Sequence, residues 1–267
     1  MSRSLLRPPG YSLGKKIEDL NLEIEVGLLS VVMIPLVTFA AHISQSYFVG
    51  QRESPMRVLT SISLGFILLG IAGRHLLTLL SQRKRFALGL EGELATGEEL
   101  NQLMLDGCRV FHDIPTPYGN IDHVVISQSG LFSVNSKLLG KPKGRETKAE
   151  AVVDQQAGVV RFPDREYRIP VEKLKSDADW LAKHLSSAVG EPVAAEPILA
   201  LPGWFVKERI GRGQVCVINP RSPKKFFVHN RVVFSPQQVQ QLAHQLEQVC
   251  RDVDSPHRPK RKRWEEP

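Results

Sequence analysis

The stretch GNIDHVVISQSGLFSVNSK, Gly119 to Lys137, decides the fold of this chain. Ile121–Gln128 and Leu131–Leu138 alternate apolar and polar residues around a Ser-Gly break, which predicts a β-hairpin. With an even-numbered turn, Asp122 faces Lys137 and Val124 faces Asn135. Asp122, Asn135 and Lys137 then share one side of the ribbon. Directly opposed Cβ atoms lie about 5 Å apart and diagonal ones about 7 Å, so these groups are close enough to converge on one ion or one phosphate. His123, Val125, Phe132, Val134 and Leu138 take the other face as core material.

Outward from the hairpin, Glu91–Asp106 reads as a helix with Leu94, Leu100, Leu103 and Met104 as its apolar set, and Arg109–Ile114 as a strand. Glu93 shares a helix face with Gly97 and Leu100, a place where a carboxylate is unusual. The competing reading is an exposed acid near a helix N-terminus, as for Glu98 and Glu99. Beyond the hairpin, VVDQQAGVVRF predicts a second hairpin around Gln155–Gly158. Pro170 opens a helix with Val171, Leu174, Ala178, Leu181, Ala182 and Leu185 at helical spacing. PILALPGWFV and QVCVIN read as buried strands, and SPQQVQQLAHQLEQVCRDV as a closing amphipathic helix. Trp204 is expected to pack near the end of a strand.

Gly27 to Gln51 contains no Asp, Glu, Lys or Arg. At about 1.5 Å per residue it is long enough to cross a hydrocarbon core of about 30 Å. A second apolar run, Val58–Leu80, is interrupted only by Arg74 and His75, and Arg74 can snorkel to the interface. Arg3, Arg7, Lys15 and Lys16 precede the first span, and Arg83, Lys84 and Arg85 follow the second. Arg52, Glu53 and Arg57 in the link form the weaker basic cluster, so both ends are expected to face the cytoplasm. A cleaved signal peptide is not expected, because a mostly polar segment precedes the first apolar run.

The expected organisation is a cytoplasmic N-terminal segment, 1–26, two transmembrane helices within 27–80 (about 27–48 and 58–80), a soluble domain at 86–254, and a basic disordered tail at 255–267. A formal charge of +7 suits an anionic partner, nucleic acid or membrane headgroups. Cys108, Cys216 and Cys250 are far apart, which predicts free thiols in a reducing compartment and neither a zinc site nor a disulfide framework. His112 and His123 read as ordinary strand residues, not ligands.

GLEGELATGEELNQLMLDGCRVFHDIP, GNIDHVV, GLFSVNSK and LPGWFV together resemble the nuclease-related (NERD) domain, from about Leu88 to Arg251, in the arrangement where two transmembrane helices come first. The resemblance implies an α/β fold with the restriction-endonuclease-like core, in the order α-β-β-β-α-β, of the PD-(D/E)xK superfamily. It implies Glu93 as the helix acid, Asp122 as the metal-binding acid and Lys137 as the lysine, with Mg²⁺ as cofactor and DNA or RNA as substrate. Carboxylates would hold the ion, and the ion and the lysine would stabilise charge developing on phosphorus.

This chain departs from the family pattern at Asn135, where an acid is usual two residues before the lysine. An amide oxygen ligates Mg²⁺ without bringing a charge, so Asp122 and Asn135 would form a weakened metal site. Lys173 stands where the family tends to have glutamine. Glu146-Thr147-Lys148 matches the family tripeptide literally but is read as a decoy, and Asp113 reaches the site only in some registers. The expectation is a membrane-anchored nuclease at the cytoplasmic face of the inner membrane, without a small-molecule cofactor. The alternative is an inactive nuclease-fold module that binds nucleic acid or a protein, with Lys141, Lys143, Arg145 and Lys148 available to phosphates.

Overall fold

The computed structural model describes residues 6–48, 54–117, 119–140, 149–229 and 231–251. Arg3, the link residues Arg52 and Glu53, the run from Lys141 to Lys148 with its Glu-Thr-Lys tripeptide, and the 255–267 tail lie outside them. The chain divides into two compact units, Ser12–Leu88 and Met1–Tyr11 with Gly89–Pro267.

The first unit is built from helices α1 (Tyr11–Phe48) and α2 (Pro55–Asn101, to Leu88 in this unit). α1 extends well before its expected apolar run and α2 well after its own, because the polar flanks on those sides are also good helix formers. The two helices are long and apolar enough to cross a membrane. Leu29, Val32, Leu36 and Phe39 on α1 and Phe66, Ile67 and Ile71 on α2 are exposed, so the apolar surface faces outward. The helices run antiparallel: Asn21 Oδ1 accepts from Arg83 Nε at 2.7 Å, Gly27 lies against Leu76, and Gly65 lies against Thr38. His42 Nδ1 and Ser61 Oγ are 3.2 Å apart further along. Pro35 stays inside α1, and the Thr38 hydroxyl donates to the carbonyl of Ile34 at 2.8 Å.

In the second unit α2 continues through Asn101 into a 3₁₀ turn, Gln102–Asp106, so the expected Glu91–Asp106 helix is the end of the second long helix. Strands β1 (Arg109–Thr116), β2 (Gly119–Ser127) and β3 (Gly130–Ser136) form an antiparallel meander. Strands β4 (Glu150–Asp154), β5 (Val159–Arg161) and β6 (Glu166–Arg168) follow, then α3 (Val171–Val189) and β7 (Ala195–Ala200). β8 (Phe205–Ile210), β9 (Cys216–Ile218), α4 (Lys224–Phe227) and α5 (Pro236–Cys250) complete the chain.

The main sheet has the order β1-β2-β3-β7-β9, with β7 parallel to β3 and β9 parallel to β7. The nuclease-like order α-β-β-β-α-β is present as the end of α2, β1–β3, α3 and β7. A second sheet, β6-β5-β4-β8, holds the expected Gln155–Gly158 hairpin. It also takes the second half of PILALPGWFV, which breaks at Pro202–Gly203 and sends β7 and β8 to different sheets.

The hairpin register differs from the expected one. Ser127 pairs with Gly130 and His123 with Val134, so Val124 faces Ser133, not Asn135, and the same register sets Asp122 against Asn135 instead of Lys137. The turn is centred on Gln128–Ser129, one residue before the Ser-Gly break. Tertiary bonds hold it there: Gln128 O accepts from Val233 N and Phe234 N, and Ser129 Oγ donates to Val228 O at 3.1 Å. Moving the centre by one shifts partners by two, so every side chain keeps its face. β3 also ends at Ser136, which leaves Lys137 and Leu138 beyond the strand.

Two layers cover this sheet. Val124, Ile126 and Leu131 pack with Leu181 and Leu185 of α3 and Leu242 and Leu246 of α5. Val125, Phe132 and Val134 pack with Leu100, Leu103 and Phe227. The capping box of Ser235 and Gln238 starts α5. Trp204 is fully buried against Phe162 and donates Nε1–H to Leu139 O at 2.9 Å, a packing residue as expected.

Close helix approach sets where Glu93 sits. A Cβ on Gly92 would lie 2.9 Å from Leu138 Cβ and 3.2 Å from Leu138 N. Gly92→Val should therefore push the helix off the β3 exit and cost about 1–3 kcal/mol. Denaturant unfolding of the full chain in detergent, followed by tryptophan fluorescence, measures this loss; an unchanged midpoint would show that the contact carries no weight.

Candidate functional site

Where the β2–β3 ladder ends, a side chain takes over from the backbone. The backbone N–H of Ser136 donates to Asp122 Oδ2 at 2.7 Å. The two residues that flank Ser136 then part: Asn135 is buried, and Lys137 is exposed with Nζ 5.9 Å from the centre of the Tyr167 ring. Lys137 keeps the sheet's rhythm through its backbone, donating N–H to Ala200 O. Its ammonium is held over an aromatic face, a cation–π contact.

Asn135 instead reaches α3. Its Nδ2 donates to Asp177 Oδ2 at 3.3 Å, and Lys173 Nζ donates to the same oxygen at 2.7 Å. Asp177 is buried beside Leu174, Ala178 and Leu181, on the apolar stripe of the helix. Sequence reading missed it, although the signal was the one that singled out Glu93: a carboxylate at a buried helical position. Lys173 comes from the first turn of α3.

The charges of this centre act on one another. Burial pushes the Asp122 carboxyl up to about 6; the Ser136 N–H and the Lys173 ammonium pull it down, and Asp177 and Asp113 push it further up. Asp113 lies opposite Asp122, between the paired positions His112–His123 and Ile114–Ile121. It has φ 54°, in the left-handed region, so Phe111 and Ile114 on either side pack into the same core instead of on opposite faces. Its carboxylate is engaged: Asn120 Nδ2 donates to Oδ1 at 2.9 Å, and Arg7 NH1 is 3.5 Å from Oδ2. Arg7, counted above as a topology signal, is thus an ion-pair partner within the C-terminal unit.

Glu93 is buried on α2, one residue past the contact of Gly92 with Leu138 and beside Gly10. The hairpin face opposite Asp122 holds a polar chain of its own. His112 Nδ1 and His123 Nδ1 are 2.8 Å apart, with Asn101 Oδ1 3.0 Å from His112 Nε2 and Ser136 Oγ 3.0 Å from His123 Nε2. One set of tautomers satisfies all of it: Ser136 O–H donates to His123, His123 Nδ1–H to His112, and His112 Nε2–H to Asn101. Burial lowers His112 to about 4 and His123 well below its usual value, so both rings are neutral near pH 7. The pair is built into the strands, as expected, but its pairing across β1 and β2 was not foreseen.

Whether Mg²⁺ suits this centre can be judged from the donors present. Asp122 offers a carboxylate and Asn135 a neutral carbonyl oxygen. Asp177 is engaged by an ammonium and an amide, and Lys173 places a positive charge among the acids. Among the described residues no group of three His, Cys, Asp or Glu side chains is placed to hold a metal ion. A hard dication needs anionic oxygens that are not already neutralised, so this donor set does not fit it well. The three cysteines are free, with burial pushing Cys108 up to about 11 and Cys250 up to about 12.

The family model of the nuclease-related domain matches residues 88–235. Searches of curated proteins and of solved structures found no match to the chain.

The neutral histidine pair has a pH consequence. Its folded pKa values lie below the unfolded value, so the unfolded chain binds more protons below about pH 6.5 and stability falls with acid. Asp122 acts in the opposite sense between about pH 6 and its unfolded value, because the folded carboxyl binds the proton more tightly. His112→Asn isolates the first effect. It should cost stability at pH 7, and that cost should shrink by on the order of 2 kcal/mol at pH 5. Denaturation midpoints of both proteins at the two pH values test this; a pH-independent cost would mean that the pair is not held neutral.

Proposed function

Because this chain belongs to the nuclease-related domain family, we propose that it is a membrane-anchored nuclease-fold module that binds nucleic acid at the cytoplasmic face, with its divalent-cation site replaced by an internal ion pair. The observation that carries this reading is the Lys173 ammonium 2.7 Å from Asp177, in a centre where Asn135 stands in place of an acid. The ammonium supplies within the fold the positive charge that a metal ion would otherwise bring. Two apolar helices hold the domain at the inner, cytoplasmic membrane, and the basic residues flanking them favour a cytoplasmic domain.

One observation favours a second reading, a weak Mg²⁺-dependent nuclease acting on DNA or RNA with Glu93, Asp122, Asn135 and Lys137 as its site. Asp122 is raised to about 6 by burial and by neighbouring acids, a crowding that a bound cation would relieve. In that case Asp122 and Asn135 would hold the ion, and Lys137 would leave Tyr167 to stabilise charge on the phosphate.

Calorimetric titration with Mn²⁺ and a cleavage assay on DNA and RNA, both with the full chain in detergent, separate the two. Under the first reading the wild type neither binds Mn²⁺ measurably nor cleaves. Asn135→Glu combined with Lys173→Gln should raise Mn²⁺ affinity by about tenfold or more. Wild-type cleavage that Asp122→Ala abolishes would overturn the first reading in favour of the second.

A further inference from the structure

A polar cleft of the C-terminal domain adjoins this centre through Lys173. It is a cleft of about 800 Å³ between the β4–β5 turn, the end of β6, the start of α3 and the β8–β9 loop. Arg168, Lys173 and Arg212 line it from three separate elements, with Gln155, Gln156 and Gln214 between them. Glu172 is the acid in the lining. Lys173 is paired with Asp177. Among the described residues Arg168 and Arg212 have no ion-pair partner, and both are exposed.

We propose that this cleft binds the phosphodiester backbone of a nucleic-acid strand and leads it to the Asp122–Asn135–Asp177 centre. The proposal rests on the function inferred above and names the surface that would carry it. Three physical features support it. The cations sit on different elements, so their spacing is set by the fold and not by one flexible segment, as an extended polyanion requires. The amide side chains between them can donate to phosphate oxygens without discriminating among bases, which fits backbone positioning and not base readout.

The walls are also held close together. Gly213 lies so near the β4–β5 turn that a Cβ there would meet Gln155 Cβ at 2.8 Å and its carbonyl oxygen at 3.1 Å. Gly211 (φ 75°) and Gly158 (φ 67°) sit in the left-handed region on the two sides. The cleft is therefore part of the fold, in contrast to a chance gap between long side chains. Lys173 is its link to the centre: it lines the cleft, and its ammonium touches Asp177.

The test uses the full chain in nanodiscs of uncharged phosphatidylcholine, with EDTA present, and fluorescence anisotropy with single-stranded and duplex oligonucleotides of DNA and RNA across a salt series. The wild type should bind, and Arg168→Glu with Arg212→Glu should weaken binding by about tenfold or more and lower the salt slope by about two. Arg221→Glu with Lys225→Glu, in a different cleft of the same domain, should leave both unchanged. Equal melting temperatures confirm that the variants fold. Wild-type binding that the cleft variant leaves intact would overturn the cleft and spare the proposed function. No wild-type binding to any oligonucleotide would overturn both. Hydrogen-exchange protection of the cleft in phosphatidylglycerol nanodiscs, without oligonucleotide binding, would assign it to lipid headgroups and overturn the proposal.

Discussion

Gln128 and Ser129 turn the chain between β2 and β3, and the carbonyl and hydroxyl of that turn are bonded to the segment from Val228 to Phe234. Moving the turn by one residue moves every cross-strand partner by two, so this anchorage assigns each residue of the hairpin its partner. Asp122 comes to lie against Asn135, its carboxylate free to take the Ser136 N–H where the ladder stops. The contact of Ser136 with His123 and the placing of Asn135 beside Asp122 follow from that register.

The parallel pairing of β3 with β7 brings α3 across the sheet, since a parallel connection needs a crossover. The crossover carries Lys173 and Asp177 over the hairpin, where Asp177, bonded to Lys173, meets Asn135. Asn135, which carries no charge, is thus bonded to a residue that brings one from another element. That charge arrives already paired with the Lys173 ammonium.

Much of this was legible in the sequence. Period-two alternation marked β2 and β3, and helical spacing marked α3 and α5. The long apolar runs marked two helices able to cross a membrane, and the gapped motifs marked the nuclease-related domain from residue 88 onward. The identities of Asn135 and Lys173 were visible as well, because they are read directly at positions. Less legible was the continuity of α2 into the domain, since its polar stretch looks locally like a separate helix.

The sequence by itself determined the faces of the hairpin, the amphipathic helices and the chemistry available at each position, because those depend on residue type and short-range periodicity. Only the tertiary structure decided the partners. The Gln128–Ser129 turn is held by residues about a hundred positions away. Asp177 meets Asn135 across a gap of 42 residues, and Arg7 meets Asp113 across 106. No local pattern encodes such pairings, because each is set by where a crossover or a terminal segment packs. At this centre, therefore, position 135 was known from the sequence to lack a charge, and the fold alone shows which charge stands beside it.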